Sequence, residues 1–105
     1  MKLASMIGVA LALAVSGPAY AQVRAMAGHE LARQWCAGCH QVEAEGIARD
    51  SAPSFINLAN DRSEELNWVR TRLQTPLYPM SGINLSNEQI EDIVAYFETL
   101  KMDAH

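Results

Sequence analysis

Cys36-Ala37-Gly38-Cys39-His40 is the stretch on which the reading of this chain turns. Two thiols three positions apart, with a histidine directly after the second, form the C-x-x-C-H run of covalent haem attachment. On a helical turn each thiol can add to one of two neighbouring vinyl groups of a haem, and the histidine that follows is turned beneath the ring to bind the iron. Other chemistries suit these residues less well. A thioredoxin-like dithiol needs a βαβ context, and the alternating runs of half-buried strands are absent. A zinc site needs a fourth ligand, and the other histidines, His29 and His105, lack the paired spacing of a zinc motif. A simple disulfide leaves the adjacent histidine unexplained.

Upstream of the motif the N-terminus reads as an export signal. Lys2 supplies the positive start, Leu3 to Val15 is an apolar run, Gly17 and Pro18 interrupt it as helix breakers, and Ala19-Tyr20-Ala21 is a small-x-small cleavage site. The expected organisation is a cleaved signal over residues 1–21 and one domain over residues 22–105. The apolar run is shorter than the roughly 18 to 20 residues that span a bilayer, so no stable membrane anchor is expected. The destination is then the periplasm, where bacteria attach haem to thiols.

Removing 21 residues from 105 leaves 84, and the loss of Lys2 alone takes the formal charge from −4 to −5. With 50% hydrophobic and 19% charged residues, the composition is that of a globular domain. The basic residues are scattered singly, which argues against nucleic-acid binding. A chain of this size buries only about 60 to 65% of its unfolded surface, so an attached cofactor would add considerably to its core.

Working outward, the expected elements are helices and loops. A first helix covers roughly Ala25 to Trp35, where Gly28 and Ala32 leave a groove for another helix and Leu31 and Trp35 add apolar bulk. From Gln41 to Asn60 the chain is loop-like, with a short apolar turn at Phe55, Ile56 and Leu58. A middle helix starts near Asp61 or Ser63, with Glu64 and Glu65 at its positive end, buries Leu66, Val69 and Leu73, and stops at Pro76. Thr75 to Leu85 is a stiff loop containing Met80. The last helix opens on Ser86 with Gln89 as its capping-box partner and buries Ile90, Ile93, Val94, Phe97 and Leu100; Leu85 and Ile90 are placed as a staple.

With these motifs in this order, the chain from about Met26 to Leu100 resembles the small class I c-type cytochromes of bacteria. Cys36, Cys39 and His40 match the attachment motif. Pro53 resembles the family proline whose carbonyl accepts the Nδ1–H bond of the proximal histidine. Pro79-Met80 resembles the methionine-ligand loop, and Leu85 to Leu100 is similar to the C-terminal helix. The resemblance implies an all-α cytochrome c fold, its N- and C-terminal helices crossing around a covalently attached haem c in a mostly apolar crevice. There are departures: Ala32 stands where an aromatic is common, so that Trp35, Tyr96 and Phe97 are expected to pack the crossing at Gly28, Phe55 stands where leucine is common, and Ser81 where a second proline often follows the methionine.

The metal ligands expected are His40 and Met80. Met80 alone among the methionines sits in a constrained loop, far enough from His40 to reach the opposite haem face, and His29 is the rival. Trp68 reads as a core aromatic whose indole N–H is a candidate contact to a haem propionate. Arg70 and Arg72 read as solvated residues available to a propionate, and Glu43, Glu45, Glu64 and Glu65 as solvent-facing. With both axial positions filled the iron has no open site for substrate, and the expected role is one-electron transfer, as a soluble shuttle or as the electron-accepting subunit of a dehydrogenase, not catalysis. The alternative is a haem protein with an open or displaceable sixth site, acting in gas binding or weak peroxidase chemistry. The expected partners are redox proteins with a basic docking rim, met by a monomer or by a subunit of a redox complex.

Overall fold

The computed structural model describes residues 18–47, 49, 51–61 and 65–102. Lys2, the run Leu3–Val15, Gly17, Ser63, Glu64 and His105 lie outside the described residues. Among those described are four α-helices and no strand: α1 (Pro18–Trp35), α2 (Phe55–Asp61), α3 (Asn67–Gln74) and α4 (Asn87–Thr99), with a short 3-10 turn at Met80–Gly82 between the last two. None of these helices is long and apolar enough to cross a membrane.

Helix α1 begins earlier than the apolar pattern predicts, at Pro18 in place of Ala25. Pro18 starts this helix and does not break it, because a first-turn residue has no intrahelical partner for the N–H that proline lacks. The buried strip of α1 is Ala25, Gly28 and Ala32. These small residues let α4 approach so closely that a Cβ on Gly28 would stand 1.9 Å from the Asp92 carbonyl oxygen and 2.9 Å from the Ile93 nitrogen. Arg24 fastens the same crossing from its edge, with Nε 3.3 Å from Asp92 Oδ1.

The expected packing of this crossing holds only in part. Tyr96 and Phe97 are buried, but Trp35 is 56% exposed. The strip of residues 25, 28 and 32 continues at Cys36, which packs against the core, and Trp35 steps out to solvent as the helix ends. Ala32, fully buried, stands against the core without the aromatic that the family often has there.

Helix α4 is set by its cap. Gln89 N–H donates to Ser86 Oγ at 3.1 Å, and Ser86 N–H donates to Gln89 Oε1 at 2.9 Å, satisfying donors that the first turn leaves without partners. Ile90, Ile93, Val94, Tyr96 and Phe97 face the core, joined by Leu100 just beyond, and Leu85 packs against the same cluster. Helix α3 begins at Asn67, later than expected, with Leu66 as its cap; Leu66, Val69 and Leu73 are buried as the periodicity requires. Asp61 closes α2 and does not open α3. That helix is a full seven residues where only a turn is expected, its start held by Ser54, whose Oγ accepts from Asn57 N–H at 3.2 Å. Its end is tied to the C-terminus of α4 by Asn60: Nδ2 donates to the Leu100 carbonyl at 2.9 Å, and Oδ1 accepts from Met102 N–H at 2.7 Å.

Candidate functional site

The thiol-bearing turn grows directly out of α1. Cys36 N–H and Ala37 N–H both donate to the Ala32 carbonyl, at 2.8 and 3.0 Å, and one turn later Cys39 N–H and His40 N–H both donate to the Cys36 carbonyl, at 3.1 and 2.9 Å. Cys36, Cys39 and His40 are thus held on one hydrogen-bonded turn. Cys36 is half-buried and Cys39 exposed. Burial pushes the Cys36 thiol up to about 11, so it stays protonated at neutral pH.

The loop that follows folds back over this turn. His40 Nδ1 lies 2.6 Å from the Pro53 carbonyl oxygen. A carbonyl can only accept, so Nδ1 carries the proton and Nε2 is left with its lone pair, the form in which an imidazole binds a metal. Two further bonds close the loop: Ser51 Oγ donates to the Cys39 carbonyl at 3.3 Å, and Phe55 N–H donates to the Gln41 carbonyl at 2.9 Å. The Phe55 ring stands edge-on to the His40 ring, centroids 5.3 Å apart. Arg33, Ala37, His40, Val42, Ile47 and Arg49 are among the residues lining an open groove of about 610 Å³ on the loop's flank. Met80 and Pro53 do not line it.

Met80 opens the 3-10 turn, its N–H bonded to the Leu77 carbonyl at 2.7 Å, and its half-buried side chain packs against the core that Cys36, Ala37 and Trp68 also touch. Trp68 meets Phe97 edge-on at 6.3 Å. His29, the rival ligand, is engaged elsewhere: its ring lies flat on Tyr96, and Nε2 donates to both oxygens of Glu43, at 2.8 and 2.9 Å. Glu43 is therefore paired, not simply solvent-facing. Arg70, partly exposed, is likewise paired: its guanidinium grips Glu91 of α4 through Nε at 2.6 Å and a second nitrogen at 2.8 Å. Arg72 is exposed, as are Glu45 and Glu65.

The donor set suits a haem: two thiols on one turn for its two vinyl groups, an unprotonated imidazole nitrogen for the iron, and a thioether on the loop between α3 and α4. Among the described residues no cluster of three or more His, Cys, Asp or Glu could hold a bare metal ion.

Sequence-level reasoning missed the Tyr96 hydroxyl, which donates to the Val42 carbonyl at 2.6 Å, and the contact of Phe55 with His40. The sequence pattern placed Phe55 in a short apolar turn and Tyr96 at the helix crossing, without indicating these partners.

An all-helical domain with a thiol-thiol-histidine turn at the end of its first helix belongs to the class of proteins that carry a covalently bound prosthetic group. The family model described as cytochrome c matches residues 25–101. Cytochrome c-552 of Bradyrhizobium diazoefficiens is 33% identical over 97 residues, covering 90% of this chain and 93% of its own length. No solved structure matches. The chain belongs to the cytochrome c family as a small class I c-type cytochrome, and its work is haem-based electron transfer.

Proposed function

We propose that this chain is a periplasmic monohaem electron carrier, exported by a signal over residues 1–21 and working as residues 22–105. Cys36 and Cys39 would anchor the haem as thioethers, His40 and Met80 would supply ligands to its iron, and Pro53 holds His40 in the tautomer suited to binding. Trp68 contributes to the wall of the crevice and is a candidate donor to a propionate. When bound, the haem supplies a one-electron iron couple. The protein's part would be to hold His40 and Met80 at the iron and to shield the group, so that it exchanges electrons and offers substrates no place at the metal.

The observation that carries this reading is the 2.6 Å bond from His40 Nδ1 to the Pro53 carbonyl, which leaves the second ring nitrogen with the lone pair a ligand needs, beside two thiols on the same turn. A thioether ligand favours the ferrous state and raises the potential. The partners that suit an acidic chain are redox proteins with a basic rim around their own centre, a dehydrogenase or reductase on one side and an oxidase or cytochrome on the other.

The test is expression in a host that attaches haem to exported proteins. The purified parent is expected to carry one covalent haem, to show the weak near-infrared band of methionine on ferric iron and to resist carbon monoxide. Met80→Ala is expected to lose that band, bind carbon monoxide and fall in potential while keeping its haem. A parent that binds carbon monoxide at once overturns the reading in favour of an open site.

A further inference from the structure

We propose that Phe55 is a positioning residue for the His40 imidazole, setting the rotation of that ring, and that Phe97 of α4 holds Phe55 in place. The inference rests on the reading of His40 as an iron ligand.

The bond from Nδ1 to the Pro53 carbonyl, 2.6 Å long, fixes one atom of the imidazole. A ring pinned at one atom can still swing about that bond. The second restraint is another ring: Phe55 stands 5.3 Å from His40, centroid to centroid, with the planes 60° apart, close to the T-shaped arrangement that aromatic quadrupoles favour. Phe55 is itself held within the core. It is 4% exposed, and its ring also packs on Phe97, 3% exposed, with centroids 4.6 Å apart. Trp68 of α3 in turn meets Phe97 edge-on. The backbone adds a short tie, because Phe55 N–H bonds the carbonyl of Gln41, the residue next to His40.

A leucine at position 55 fills space without offering a flat surface, so it holds the imidazole against translation more than against rotation. The rotation matters because the plane of an axial imidazole decides which iron d orbitals its π system overlaps. That choice appears in the anisotropy of ferric iron and in the paramagnetic shifts of the haem methyl groups, not in the amount of haem bound.

The experiment compares the ferric holoprotein with Phe55→Leu and Phe97→Leu by electron paramagnetic resonance and proton NMR, using Arg72→Gln as a surface control. Both core variants are expected to keep covalent haem and low-spin iron, and to redistribute the haem methyl resonances well beyond the control, with the larger shift in Phe55→Leu. A residue with only a packing role would lower the melting temperature and leave the methyl pattern alone, so an unchanged pattern in Phe55→Leu overturns the proposal. If Phe55→Leu gives no folded holoprotein, Phe97→Leu decides: it leaves the contact with His40 but removes its backing, and an unchanged pattern there overturns the proposal equally. A parent spectrum without histidine-ligated low-spin iron removes the reading of His40 itself, and is distinct from an unchanged variant beside a low-spin parent.

Discussion

The imidazole of His29 lies flat on the phenol ring of Tyr96, centroids 4.6 Å and planes 10° apart. The pair joins α1 to α4, and each partner reaches onward to the same stretch of loop: Tyr96 through its hydroxyl to the Val42 carbonyl at 2.6 Å, His29 through Nε2 to Glu43 at 2.8 Å. The loop leaving the haem-attachment turn is therefore fastened to both helices of the crossing within three residues of His40.

Tyr96→Phe removes the bond to Val42 and leaves a carbonyl without its donor, an expected loss of about 1–2 kcal/mol in chemical denaturation. It also changes the alkaline limb. Burial first, and the Glu43 charge second, push the Tyr96 phenol up to about 12. An unfolded tyrosine titrates near ~10, so this contribution is complete below that value and is lost as pH rises through the folded one. The parent is expected to lose stability between those limits, and the variant to be flatter there; equal slopes would show that Tyr96 ionises freely in the fold.

Arg70→Met tests the link from α3 to α4. The hydrogen bond from Arg70, followed by its charge, holds the Glu91 carboxyl below its usual range. Such a depressed group stabilises above the unfolded carboxyl value of about 4.3, and the effect fades as pH falls through the lower folded value. Both side chains are about one-third exposed, so the expected cost at neutral pH is modest, about 0.5–1 kcal/mol, shrinking in acid and at high salt. Denaturation midpoints across pH 3 to 7 measure it; a gap between parent and variant that does not narrow in acid would assign the effect to packing.

At Gly28 the obstacle is backbone, which cannot rotate away as a side chain can. Gly28→Ala is expected to push α1 off α4 and to cost about 3 kcal/mol or more, at the upper end of overpacking. Thermal unfolding of the holoprotein reads it directly, and a change below about 1 kcal/mol would mean that the helices slide apart easily.

The proposed docking to a basic rim predicts a salt effect. The second-order rate of electron transfer with the physiological partner should fall as the Debye length shrinks from about 30 Å at 0.01 M to about 8 Å at 0.15 M. A rate that is flat or rising with salt would leave the acidic surface with no part in docking.

What could be read from the sequence was local. The cap of α4 involves residues three apart, and the attachment motif spans five positions, so both were legible without tertiary information. The start of α3 was not, because Glu64 and Glu65 suit a helix N-terminus electrostatically whether or not the helix reaches them, and it begins at Asn67. Trp35 is expected to pack the crossing because Ala32 stands where an aromatic is common, yet the helix ends there and the core strip passes to Cys36. The partners of Arg70 and His29 lie 21 and 14 residues away, beyond the reach of any helical period.

The contact between Gly28 and Asp92 also orders events in time. It joins the first helix to the last, so the loop it closes contains the whole attachment turn, and closing it must await nearly the entire chain. A chain that ends short of Asp92 has no surface to lay against Ala25, Gly28 and Ala32.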